Sequence, residues 1–452
     1  MLTAKDLISI ALGIVILILS INGKEKIATK IVIFLLPFGV VFPTPFLPVG
    51  LNGVLIWFLW IGIKFKTTRN IVYFRSWLSI SKAMLIFYCI LFIGVFMGLT
   101  QSKIIDPQTH ISQINQIINY SLYIITVILF IKILVLYKDD IKFQNSLKLY
   151  FMLSIFLHLL PYFIGSFGGE SFSKSIQTSS EAIVSDVIVN SDINRFSGVL
   201  GDYELIIDYI LIIIALSFSF LAQRKYILIS IPVLITAVFV ALSSGTRSFL
   251  IVTPVFFGIF FIISFIVNDR SLKNGLLRNL FLLLTMLVIL YTIFSNINLP
   301  IFDRLTGAFE IFKETGNLND ATNRHITDIL PQFISTTSIL GYGSLYLNTI
   351  QNNEMVSHNV LMHTYAKYGV LGLFSILLLF IKPIYLLFKK IKQSKILTIK
   401  RDSVIYISLL LSLFLQEMKI SFLRQQTSML IYAFIFILIY FHLENKKRIT
   451  KS

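Results

Sequence analysis

Four short blocks hold most of the side chains able to handle a charged substrate. Arg195 opens the first, Arg195-Phe196-Ser197-Gly198, which runs on to Asp202, Tyr203 and Glu204. Arg247 ends the second, Ser244-Gly245-Thr246-Arg247. Arg324 lies in the third, between Asn323 and His325. The fourth begins His358-Asn359 and continues through His363 and Lys367 to Gly369 and Gly372. A guanidinium is always charged, and its planar fork matches phosphate oxygens two at a time. Arg247 stands where an apolar run begins, so the free N–H groups of a helix end there also favour an anion. Histidine titrates near neutrality, and His358 is placed to take a proton from a hydroxyl. The chemistry suggested is anion capture beside hydroxyl activation. No His/Cys spacing of the metal-site kind and no Walker-type glycine loop accompanies it. Taken singly, an isolated loop arginine is usually a solvated or snorkelling residue, and a lone histidine at a helix start is more often a cap than a catalyst. Lys367 and His363 share a helical face inside an apolar run, where ionisable residues are functional candidates by default.

The elements that must position these blocks are membrane helices. Of 452 residues, 56% are hydrophobic and 13% charged, where a soluble domain carries about 25% charged residues. That composition excludes an ordinary soluble domain and a disordered chain. The single cysteine, Cys89, excludes a disulfide scaffold. Long apolar runs, rather than alternation, exclude an outer-membrane barrel. Spans are expected near 7–22, 30–46, 50–63, 83–99, 116–131, 149–165, 205–222, 226–243, 248–267, 279–294, 359–381, 403–418 and 427–443. Pro43, Pro45 and Pro48 allow the second and third to be one broken hairpin, so the count is twelve or thirteen. The first run follows Lys5, lacks a small-x-small cleavage site, and reads as a span rather than a removable signal.

Lysine and arginine orient the chain. Twenty-seven of its 39 basic residues fall in the connections 23–30, 64–82, 132–148, 224–225, 268–278, 389–401 and 444–452. These are expected on the cytoplasmic side, with the C-terminus. The net charge of +17 is therefore a topology signal, and basic residues scattered over short loops exclude a nucleic-acid site. The domain reading is N-terminal spans over 1–165, a long outer loop over 166–204, and central spans over 205–294. A second long outer loop over 295–358 follows, then C-terminal spans and a cytoplasmic tail over 359–452. The two loops hold twelve of the 22 acidic residues, and against them the outer arginines stand out. Loops of that length tend to be functional or disordered.

The spacing His358-Asn359, nine residues, Gly369, two residues, Gly372 resembles the C-terminal signature of the bacterial O-antigen polymerase and O-antigen ligase superfamily. Arg324 followed by Gly341-Tyr342-Gly343 resembles the loop before that signature. The Arg195 and Arg247 blocks are similar to further family blocks, in the family's order, so that the resemblance covers roughly 190–385. It implies an all-α polytopic membrane glycosyltransferase of the GT-C type, metal-independent and without a cofactor. It implies action at the periplasmic face of the inner membrane on undecaprenyl-pyrophosphate-linked oligosaccharides. The resemblance implies catalytic roles for His358 and Arg247, and substrate binding by Arg195, Arg324, Asn359, Tyr203 and Lys367. Membrane lipids are implied partners, and a chain-length-determinant protein is a further one. The polymerase is the expected activity. The family's polymerases carry an Arg-x10-Gly pattern, which Arg304 and Gly316 miss by one residue, so the ligase stays open as the alternative. A glycan flippase is the alternative of another class. It would claim His363, Lys367 and the proline-rich stretch near Pro43.

Overall fold

The computed structural model describes residues 3–40, 49–66, 107–168, 206–243, 247–267, 300–316, 339–341, 359–419 and 426–444, with scattered helical residues between Ala83 and Ile93. The described residues are about 90% helical and contain no strand. Their helices are α1 Ala4–Ile21, α2 Glu25–Leu35, α3 Gly50–Lys66, α4 Pro107–Val135, α5 Ile141–Gly168 and α6 Ile206–Ala222. The remainder are α7 Ile227–Ser243, α8 Arg247–Ile266, α9 Pro300–Thr315, α10 Val360–Gln393, α11 Leu397–Lys419 and α12 Gln426–Glu444. Among them α1 and α10 are long and apolar enough to cross a membrane, and six shorter apolar helices accompany them. The chain forms two compact units. One comprises 1–151, 327–386 and 417–445, and the other 152–326, 387–416 and 446–452.

In the first unit, α1 starts with a capping box. The Asp6 N–H donates to Thr3 Oγ1 (3.3 Å), and the Thr3 N–H donates back to Asp6 Oδ2 (2.9 Å). Such caps contribute about 1 kcal/mol. The helix stops at Gly23, whose positive φ lets the Lys24 N–H reach the Leu19 carbonyl (2.9 Å). Gly13 lies under the Phe58 ring and Gly62 under Ser20, so α1 and α3 pack closely and run parallel. The Trp57 indole N–H donates to Thr126 Oγ1 (2.8 Å), and Lys132 lies 5.9 Å from the Trp60 ring. These pairs advance together, so α4 runs parallel to α3.

The second expected span, 30–46, has a different form. Helix α2 is 11 residues long and begins earlier, at Glu25. It ends at Leu35, and a 3-10 turn, Pro37–Val40, follows. Pro37 lacks the N–H that would continue the helix. The Leu36 carbonyl at this ending accepts from the Gly39 N–H of the turn (3.3 Å) and from the Asn52 amide (2.8 Å). Eleven residues rise only about 16 Å, less than a bilayer core.

Parallel α1, α3 and α4 bring their C-terminal ends to one end of the unit. Lysines from three of the basic connections meet there. Lys26 Nζ lies 2.7 Å from Asp140 Oδ2, across the α1–α2 and α4–α5 connections. Lys30 lies 5.8 Å from the Phe143 ring and Lys64 5.1 Å from Trp60. Asp140 also caps α5, accepting from the Phe143 N–H (2.9 Å). The Lys26 ammonium, then this N–H, hold the Asp140 carboxyl below the usual carboxylate range. A depressed carboxylate stabilises the folded state above the unfolded pKa, near 4, and the effect is lost as pH falls through the lower folded value. Lys26→Ala is therefore expected to melt below the wild type in detergent at neutral pH, with the gap closing below about pH 4. The pair is partly exposed, so the gap should stay under about 1 kcal/mol.

In the second unit, α6 and α7 are joined by a tight connection in which Arg224 and Tyr226 have φ of 53° and 50°. Positive φ is costly for such residues, and a buried acid fastens the turn. Asp402, on α11, accepts from Ser219 Oγ (3.0 Å) and Gln223 Nε2 (2.9 Å). Its neighbour Arg401 donates to the Ala222 carbonyl at the end of α6 (3.2 Å). Two basic connections expected on one side are thus joined. Phe218 and Phe257 pack edge to face at 5.5 Å between α6 and α8. Helix α9 packs on α7 and α8.

Candidate functional site

The fourth block is built in the first unit. Asn359 caps α10, its Oδ1 accepting from the Leu361 N–H (2.9 Å) and the Met362 N–H (3.2 Å). This is the usual work of asparagine at a helix start. It occupies the oxygen that a substrate contact would use, and fixes the backbone next to His358. Helix α10 then breaks at Gly369, which adopts φ 63° and ψ −159°. Ile339, Leu340 and Gly341 lie across the break. The Val370 N–H donates to the Ile339 carbonyl (2.9 Å). A Cβ on Gly369 would fall on the Ile339 carbonyl oxygen, and one on Gly341 would lie 2.8 Å from the Lys367 carbonyl oxygen. A Cβ on Gly372 would strike Tyr368 and lie 2.9 Å from the Thr364 carbonyl oxygen. Two glycine blocks that are separate in sequence therefore form one backbone crossing.

The break falls inside the expected span 359–381. Lys367 and the buried His363 lie in the half-helix before it, and residues 370–393 after it rise about 36 Å. Lys367 is half-buried, with its ammonium 5.5 Å from the Tyr368 ring.

Arg247 opens α8 in the second unit, as its place before an apolar run suggested. Its backbone thus stands at a helix N-terminus, where free N–H groups favour an anion. The same unit buries a titratable group that reading the sequence missed. Asp208, Tyr209 and His158 are all fully buried, and the Tyr209 and His158 rings lie 5.7 Å apart. Helices α6 and α8 run parallel, being joined through α7 by two short connections. Phe218 and Phe257 each lie ten residues beyond Asp208 and Arg247. That common offset places Asp208 at the level of Arg247 along the unit. Asp208 was concealed by the apolar average of the run 205–222. The signal available was an acid three residues into a span. Another buried acid, Glu417, accepts from the Tyr432 hydroxyl (2.6 Å) in the first unit.

Of the other expected site residues, Arg195, Tyr203, Arg324 and His358 lie outside the described residues, as does the side chain of Arg247. The class defined so far is an all-helical protein with apolar helices and a glycine-built helix break. No protein-family model matches the chain, and no curated protein is detectably similar to it.

Proposed function

We propose that this chain is a polytopic inner-membrane glycosyltransferase that polymerises undecaprenyl-pyrophosphate-linked oligosaccharide repeats at the periplasmic face. The observation that carries the reading is the Gly341–Gly369 crossing. The two glycine blocks of the family resemblance belong to one local structure, and Asn359 fixes the chain next to His358. The gathering of lysines at one end of the first unit supports the proposed orientation. So do exposed apolar residues such as Ile251, Ile262 and Phe265 on α8.

In this reaction the acceptor hydroxyl of a new repeat attacks the anomeric carbon of the growing chain. A C–O bond forms, the bond to pyrophosphate breaks, and undecaprenyl pyrophosphate leaves. The hydroxyl proton passes to His358. Pyrophosphate is already a good leaving group, so positioning and charge stabilisation are the demanding tasks. Arg247, Arg195 and Arg324 supply positive charge for it, and Tyr203 and Lys367 contact the glycan. Asn359 acts by holding His358.

The purified protein in detergent, given lipid-linked repeats and no membrane gradient, should produce a ladder of polymers on a gel. Transfer of one glycan to a separate acceptor lipid would indicate the ligase instead. The broken α10 favours a transporter as the second reading, because transporters bind substrate at discontinuous helices. A transporter would leave the repeats unjoined in this assay.

A further inference from the structure

Helix α9, Pro300–Thr315, differs from the other helices of its unit. Its spacing puts Phe309 and Phe312 on one stripe and Glu310 and Glu314 on the opposite face, with Lys313 at the border. A stripe of this kind ordinarily packs inward. Here Phe309 is 68% exposed and Phe312 39% exposed, although the helix packs on α7 and α8. The helix is 16 residues long and ends in an αL cap at Gly316, whose N–H donates to the Phe312 carbonyl (2.8 Å). It is thus a finished element with an apolar face left open.

We infer that α9 lies in the plane of the outer membrane interface, with the Phe309–Phe312 stripe immersed in the acyl boundary and Glu310 and Glu314 in water. The charge pattern selects lipid over a protein partner. A bordering lysine is placed to extend its ammonium to the phosphates while its stem covers apolar surface. The acids stand away from the stripe. The helices it packs on also expose apolar residues, Ile231 on α7 and Ile251 on α8 among them, as helices facing acyl chains would. The helix so immersed packs on α8, the helix that Arg247 opens. A lipid-borne pyrophosphate travels at the same depth. The inference rests on the membrane reading but not on the transfer reaction.

Spin labelling tests it. In a Cys89→Ser background, single cysteines replace Phe309, Glu310, Glu314 and, as a reference on α8, Ile262. The full chain is placed in phosphatidylethanolamine and phosphatidylglycerol vesicles. Collision with oxygen, which concentrates in lipid, is compared with collision with a water-soluble nickel complex. The oxygen-to-nickel ratio is expected to be high at 262 and 309 and to reverse at 310 and 314. A nickel-accessible 309 beside an oxygen-accessible 262 would overturn the interfacial helix and leave the membrane reading standing. Nickel access at both would overturn the membrane reading itself. A label at 309 protected from both reagents would mean that protein covers the stripe, and the inference would fail.

Discussion

Cells carrying Arg247→Ala are expected to insert the protein in normal amount and to display single repeats in place of long surface glycan. Arg247 opens α8, where the free N–H groups of the helix end favour an anion, and in the proposed reaction its guanidinium is given the same task. In the proposed reaction, negative charge grows on the departing pyrophosphate. Removing one preorganised donor from such a site costs about 100- to 1,000-fold in rate. Arg247→Lys keeps the charge but loses the bidentate fork, and should fall between the variant and the wild type. His358→Ala should give the same single-repeat phenotype by another route, since the acceptor hydroxyl then loses its base, worth about 100- to 10,000-fold. The measurement is a gel of surface glycan, with membrane-fraction blotting to establish insertion. Full-length polymer from both alanine variants would dismiss the site. A bare acceptor lipid would point to the ligase, because loss of a ligase removes the first repeat as well.

Helix content was legible because apolar runs and flanking lysines are local signals. Helices α6, α7 and α8 lie where hydropathy placed them, within a few residues. Packing was less legible. The second span was read as a run of apolar residues, but Pro37 ends the helix regardless of how apolar its neighbours are. In α10 the apolar run hides a break, because one glycine barely alters a hydropathy average. The break is set by a carbonyl of Ile339, 30 residues back in the chain. The glycines at 341 and 369 were visible as two blocks, and nothing in either announced the other. Asp208 shows the same limit from the opposite direction: one acid was absorbed into an apolar average, and only burial beside Tyr209 drew it out.

Gly369→Ala tests the crossing more sharply than any polar substitution, because two penalties act there and can be separated. The first is conformational. At φ 63° and ψ −159° the backbone lies in a region that is essentially glycine-only, and an L-residue there costs roughly 1–3 kcal/mol. The second is spatial, since the new methyl falls on the Ile339 carbonyl oxygen and backbone has to move, at a further cost of about 1–3 kcal/mol. Gly316 provides the control. It shares a positive φ of 64°, but a Cβ there meets nothing within 4 Å. Gly316→Ala should therefore show the conformational cost alone, about 1 kcal/mol, and Gly369→Ala about 3 kcal/mol or more. Thermal melting of the purified protein in detergent measures both. Polymer yield then adds a second reading. Gly316→Ala should keep its product ladder. Gly369→Ala displaces the half-helix that Asn359 caps, and His358 with it, so it should lose the ladder even at temperatures where it remains folded. Equal melting losses in the two variants would mean that loop and helix do not meet at Gly369. A folded Gly369→Ala protein with a normal ladder would detach the crossing from the chemistry.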